Sequence, residues 1–207
     1  MGVEFQITQK RQIQIKDATM CNARAAAAGL DHGTSVYGFT LGQFSVSDLI
    51  AEILERTGPA DVTISTWTAS AAKIDEAFDL FESGKIRSCR WLLDPGFKSR
   101  QPKFAESLVR RFGLECIRTV ANHAKFVVIR NEEWAVVVKT SMNLNNNPRL
   151  ENYEICEGTE LADYIEGFVD YIFNTTPADD NYKLAGYGGL NRKAMQPTED
   201  DILAALG

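Results

Sequence analysis

A chain of 207 residues, 44% hydrophobic and 24% charged, with 15 glycines and 6 prolines, has ordinary globular composition, which excludes wholly disordered, collagenous and low-complexity classes. Its formal charge of -6 and pI near 5.1 exclude a protein that coats nucleic acid by bulk positive charge, while leaving room for a local basic pocket. The longest apolar runs, such as Trp134 to Val138, are strand length, well short of the about 20 residues a bilayer span needs, and no basic-then-apolar leader opens the sequence. A cytoplasmic setting without stable membrane association is therefore expected.

Residues 1–34 read as an N-terminal extension in which Phe5, Ile7, Ile13 and Ile15 suggest one or two strands and Cys21 to Leu30 an alanine-rich helix. From residue 35 the pattern is regular. Leu49, Ile50, Ile53 and Leu54 share a helical face, with Ser47 or Asp48 near the start and Gly58-Pro59 closing it. A strand follows over Asp61 to Trp67, then a helix from about Ser70 with Ile74, Ala77, Phe78 and Phe81 on one side and Gly84 at its end. Arg87 to Asp94 is the next strand. Pro102 suits the first turn of a helix carrying Phe104, Leu108 and Phe112, stopped by Gly113, and Leu114 to Val120 reads as another strand.

His123 to Arg130 and Trp134 to Ser141, joined by the polar turn Asn131-Glu132-Glu133, form a hairpin. Tyr153 to Cys156 is a short strand, and Leu161, Tyr164, Ile165, Phe168 and Ile172 mark an amphipathic helix. This alternation predicts an α/β domain over 35–174, with a mixed, mostly parallel sheet flanked by helices. Residues 175–207 read as a linker and a short C-terminal helix, in which Ile202, Leu203 and Leu206 stay exposed unless docked. Gly186 to Gly189 lacks the strand and lysine of a phosphate loop and reads as a turn. The four cysteines, Cys21, Cys89, Cys116 and Cys156, form no C-x-x-C pair and read as unpaired thiols rather than a disulfide framework or zinc site.

The chemistry concentrates after residue 122. In Asn122-His-Ala-Lys125, period-two geometry puts His123 and Lys125 on one sheet face, and Ser141 with Asn143 repeats the pattern across the hairpin. Asn152 and Glu154 repeat it again. An imidazole nucleophile, a cation, a hydroxyl, amides and a carboxylate to fix the tautomer suit attack at a phosphodiester, with no metal and no cofactor called for. The plainer reading is a strand-end histidine beside Ser and Asn that mark turns. The ordered combination favours the catalytic one. Only one other histidine exists, His32, which lacks a Lys two residues on and reads as a surface or structural residue. Trp67 is a candidate for stacking on a base, though an aromatic there also suits a core. Arg149 and Lys139 are candidates for phosphate contact or ordinary surface charges, and Arg110-Arg111 reads as a solvated helix face.

His123-x-Lys125, Ser141-x-Asn143 and Asn152-x-Glu154, in that order, resemble the HKD motif of the phospholipase D superfamily, and the segments from Asp61 to Asp94 are similar to its opening strand, helix and strand. The resemblance covers roughly residues 45–174. Two positions and one spacing depart from it: Arg130 stands where the family has Asp, Thr140 replaces the Gly before the Ser, and the step from Lys125 to Ser141 is longer. The resemblance implies a metal-independent phosphodiesterase that forms a phosphohistidine, with catalytic His123, Lys125, Ser141, Asn143 and Glu154, and with Asn152, Trp67 and Arg149 on the substrate. It also implies a homodimer, because the mechanism needs two histidines and the chain supplies one motif. Nucleic acid is the expected substrate. The alternatives are an inactive binding or regulatory protein that keeps the fold and, ranked lower, a phospholipid phosphodiesterase, for which only the Ile202 to Leu206 segment offers a membrane-facing feature.

Overall fold

The structure, a computed structural model, describes residues 12–16, 22–146 and 148–178. The expected C-terminal helix, Gly186 to Gly189, Cys21, Phe5 and Ile7 lie outside the described residues. Among the described residues eight strands form one sheet: β1 (Gln12–Lys16), β2 (Thr34–Thr40), β3 (Ala60–Thr66), β4 (Ile86–Leu93), β5 (Ile117–Thr119), β6 (Phe126–Arg130), β7 (Ala135–Thr140) and β8 (Glu151–Glu157). The helices are α1 (Ala23–Ala27), α2 (Val46–Thr57), α3 (Ala71–Glu82), α4 (Gly96–Arg100), α5 (Pro102–Phe112) and α6 (Thr159–Thr175). The first of them, with β1, adds to the same sheet and core as the rest.

Local chemistry explains most element ends. The N-cap of α2 is Ser45 rather than Ser47 or Asp48: its hydroxyl accepts from the Asp48 amide while the Asp48 carboxylate accepts from the Ser45 amide, satisfying two otherwise orphaned donors. Gly58 then turns the chain at φ 78°, where a side chain would be strained. The apolar face of α2 is fully buried on the sheet. Two elements differ from the expectation. Helix α4 precedes α5, and Leu114–Cys116 is a 3-10 turn, leaving only three residues for β5.

The sheet order is β1-β2-β8-β7-β6-β3-β4-β5. Six strands run one way, and β6 and β8 run against them. Because both reversed strands lie inside the sheet, only β1–β2, β3–β4 and β4–β5 pair in parallel, while four pairings are antiparallel. The mixed sheet, most of whose strands run in one direction, is as expected, and its antiparallel pairings come from the hairpin strand β6 and from β8, which slots between β2 and β7. Helices α1, α2, α3 and α5 cover one face, where Trp91, Phe112, Phe78 and Phe81 form an aromatic cluster at centroid distances of 5.2 to 6.4 Å.

Among the described residues, α6 is the helix on the other face. Its Ala162 and Ile165 pack on Val128 and Val137, and Val169 and Ile172 on Leu92 and Val120. Charges then fix it: Arg130 binds Asp163 and Glu166, and Arg90 binds Asp170 and approaches Glu166 at 3.8 Å. Arg130 therefore serves as an anchor for α6. Arg130→Asp would set three carboxylates together. We expect a loss of about 2 kcal/mol and a Tm about 4–8 °C lower, with Arg130→Met milder, as read by thermal unfolding. Beyond α6 the same sheet face is uncovered among the described residues, with Ile13 at 70%, Ile15 at 82% and Phe39 at 42% exposure.

Candidate active site at the sheet edge

The segment between β5 and β6 carries His123 and Lys125. Both lie just before β6 rather than within it, although the Lys125 carbonyl still accepts from the Thr140 amide at 3.2 Å, so the ladder to β7 continues as far as Lys125. What holds the segment is Asn122, only 9% exposed. Its Nδ2 donates to Ser65 Oγ (2.9 Å) and the Leu92 carbonyl (3.2 Å), and its Oδ1 accepts from the Ala124 amide (2.9 Å). Ser65 Oγ donates in turn to the Ala124 carbonyl at 3.0 Å. The loop is thus tied to β3 and β4 on both sides of His123.

Lys125 folds back on its neighbour. Its Nζ donates to the His123 carbonyl at 2.7 Å and lies 3.2 and 3.4 Å from the two ring nitrogens. Partial burial lowers the pKa of Lys125, against an opposing pull from the Glu151 charge. Because the unfolded chain holds this proton more tightly than the folded one, the contribution to stability rises with pH through the window just below the ordinary lysine value.

Trp67, directly after β3, stands beside His123 with ring centroids 5.9 Å apart. Arg100, at the end of α4, stacks over the indole at 4.0 Å and donates to the Trp67 carbonyl (3.0 Å) and Asp94 Oδ1 (3.1 Å). One face of the indole is therefore already covered.

A second cluster forms where β7 ends and β8 begins. Ser141 Oγ donates to Glu151 and accepts from the Asn152 amide at 3.0 Å. The following loop docks beside Trp67, with the Leu144 amide donating to the Thr68 carbonyl and the Ser70 amide to the Leu144 carbonyl. Within it, Asn143 Oδ1 is buried with no hydrogen-bond partner among the described residues. Glu154 pairs with Lys139 across the β7–β8 ladder at 2.8 Å and accepts from the Cys156 thiol. Arg149 is exposed in the loop before β8. His32 lies at the opposite end of the sheet, stacked on Trp134 at 4.0 Å and 3.4 Å from the buried Glu157. The two histidines therefore do not meet within one chain.

The structure gathers His123, Lys125 and Trp67 at one end of the central strands β3 and β6 and brings Ser141 and Asn143 to the neighbouring end of β7. It also adds residues that the sequence reading did not single out. Asn122, Arg100 and Glu151 take part, and a pocket of about 400 Å³ opens beside His123 between Ser65, Leu92 and Phe126 of the sheet and Phe168 and Tyr171 of α6. The carboxyl ends of β3 and β4 border it, a usual place for ligands in α/β sheets. Only Asn122 left a signal in sequence, as a buried amide directly before the histidine.

Cys89, Cys116 and Cys156 are free thiols, and burial pushes their pKa values up. Among the described residues no cluster of three or more His, Cys, Asp or Glu is placed to hold a metal ion, and no helix is long and apolar enough to cross a membrane.

No protein-family model matches the sequence, and a search of curated proteins finds no match. Solved structures do match. The polyphosphate kinase of Porphyromonas gingivalis is 12% identical over 68% of this chain and 26% of its own, with a TM-score of 0.49. Nuc from Salmonella typhimurium, a phospholipase D family member, is 12% identical over 69% of this chain and 95% of its own, with a TM-score of 0.51. The mixed sheet and its helices thus have the phospholipase D-like fold.

Proposed function

We propose that the protein is a phosphodiesterase of the phospholipase D type, a nuclease working through a phosphohistidine at a site shared by two copies of the chain. The observation that carries this reading is the Lys125 ammonium within 3.4 Å of both His123 ring nitrogens, at the pocket mouth of a phospholipase D-like sheet. In the proposed step a neutral His123 nitrogen attacks phosphorus and the P–O bond to the leaving alkoxide breaks. The imidazolium of the second copy's His123 gives that alkoxide its proton. Water then attacks the phosphohistidine, the P–N bond breaks, and the second imidazole takes the water's proton. Lys125 sits where it opposes the charge that gathers on the phosphoryl oxygens, and Asn143, Ser141 and Asn152 are proposed to complete that cradle.

The open sheet face bearing Ile13, Ile15 and Phe39 supports a twofold partner, since apolar groups clustered on one surface favour association. A second reading, a binding protein without turnover, is favoured by one observation: Ser141 is already bonded to Glu151 and Glu154 to Lys139. The test is cleavage of single- and double-stranded DNA and RNA in EDTA, with dimerisation read by light scattering. Cleavage by the wild-type dimer, absent in His123→Asn, is expected. No turnover of any polymer, dinucleotide ester or phospholipid would leave the binding reading, and a strict monomer would end the shared site.

A further inference from the structure

The phosphoryl chemistry leaves the pocket beside His123 unused. Its volume of about 400 Å³ lies within the range of small-molecule sites. Phe126, Phe168 and Tyr171 supply three aromatic rings to its wall, and Leu92, Val120 and Ile172 supply aliphatic surface. Three of the polar side chains there, Ser65, Asn122 and Thr175, are already committed inside the protein. Ser65 Oγ donates to the Ala124 carbonyl and accepts from Asn122, whose amide is spent on Leu92 and Ala124, and the Thr175 hydroxyl donates to the Tyr171 carbonyl. The wall therefore offers mainly ring faces and aliphatic surface, with the Tyr171 and Thr176 hydroxyls as its remaining polar side-chain groups besides the His123 ring.

We propose that this pocket takes an unstacked nucleobase carried next to the scissile phosphate, so that the substrate is single-stranded nucleic acid, accepted largely without regard to base identity. The proposal rests on the phosphodiesterase reading above. Three aromatic rings favour a base over an acyl chain, because every base has a π face to stack while a chain gains only buried area. The imidazole at the rim puts the occupant beside the reacting phosphorus. A base paired in a duplex would first have to be pulled from its stack at a cost of a few kcal/mol, whereas a single strand offers it freely.

Two esters with the same leaving group separate the pocket from the chemistry: the p-nitrophenyl ester of thymidine 5′-phosphate and methyl p-nitrophenyl phosphate. The expected kcat/KM ratio of nucleoside to methyl ester is about tenfold or more in the wild-type dimer, and about threefold or less in a Phe168→Ala/Tyr171→Ala variant. Thr175→Trp, which fills the pocket from the last turn of α6, is expected to lower the ratio in the same way should the double variant fail to fold. A wild-type ratio near one, or a ratio unchanged in both variants, would overturn the proposal.

Binding gives an independent reading on folded His123→Ala protein, titrated with thymidine 5′-phosphate, inorganic phosphate and a lysophosphatidate. Tighter binding of the nucleotide than of phosphate, lost in the pocket variants, supports the assignment. Preference for the lysophosphatidate makes the pocket an acyl site and sinks it. Nucleotide binding in the pocket without turnover of either ester would remove the phosphodiesterase reading and leave the pocket assignment standing. Turnover with a ratio near one would do the reverse.

Discussion

Alanine at position 123 is expected to lower turnover by about 10³-fold or more, because it removes both the proposed nucleophile and the proposed general acid of a paired site. The stronger result comes from mixing. If wild-type and His123→Ala chains are co-expressed in equal amounts and pair at random, about one quarter of the dimers are wild type on both sides, and activity should follow that fraction. The measurement is specific activity against the fraction of variant chain, with subunit ratio checked by mass spectrometry. A curve that falls with the square of the wild-type fraction supports a site made by two chains. A straight line, with one half of the activity at equal mixing, means each chain is complete alone.

Asn122 should give the largest combined effect on stability and catalysis. Its amide makes three hydrogen bonds, buried ones to Ser65 and Leu92 and a part-buried one from Ala124, so a single side chain ties the His123 loop to both β3 and β4. Asn122→Leu keeps much of the volume and strands the Leu92 carbonyl and the Ala124 amide, at a cost of about 2–4 kcal/mol. The Tm should fall by about 4–16 °C for a chain of this length. Because the loop would lose its register under Trp67, kcat should drop by about 10²-fold, more than KM changes. Ser65→Ala, which leaves Asn122 bonded to Leu92 and Ala124, is expected to be several times milder. Equal effects of the two substitutions would mean that packing, rather than the amide, sets the loop.

Much of this architecture was legible in the sequence because its causes are local. The Leu49, Ile50, Ile53 and Leu54 spacing, the glycines at 58 and 113 and the turn at Asn131 each act within a few residues, and the helices and hairpin appear where those signals stand. The order of the sheet was not legible. Strand β8 pairs with β2, more than a hundred residues earlier, and nothing near Tyr153 distinguishes that neighbour from another. The site divides the same way. His123 and Lys125 share a motif and do meet in space, but Asn122 works through Ser65 and Leu92, 57 and 30 residues away, and Arg100 reaches Trp67 across 33. Arg130 looks like a damaged motif when read in line. Its meaning appears only with α6 in place, 33 to 36 residues on.

That anchorage carries a further consequence. Phe168 and Tyr171, two of the pocket's rings, ride on a helix pinned by Arg90 and Arg130 to carboxylates at its partly exposed side. Such contacts are weakened by dissolved ions, whose screening length falls from about 10 Å at 0.1 M to about 3 Å at 1 M. Ionic strength would then act on the width of the pocket itself, so even an uncharged occupant would sense the surrounding electrolyte.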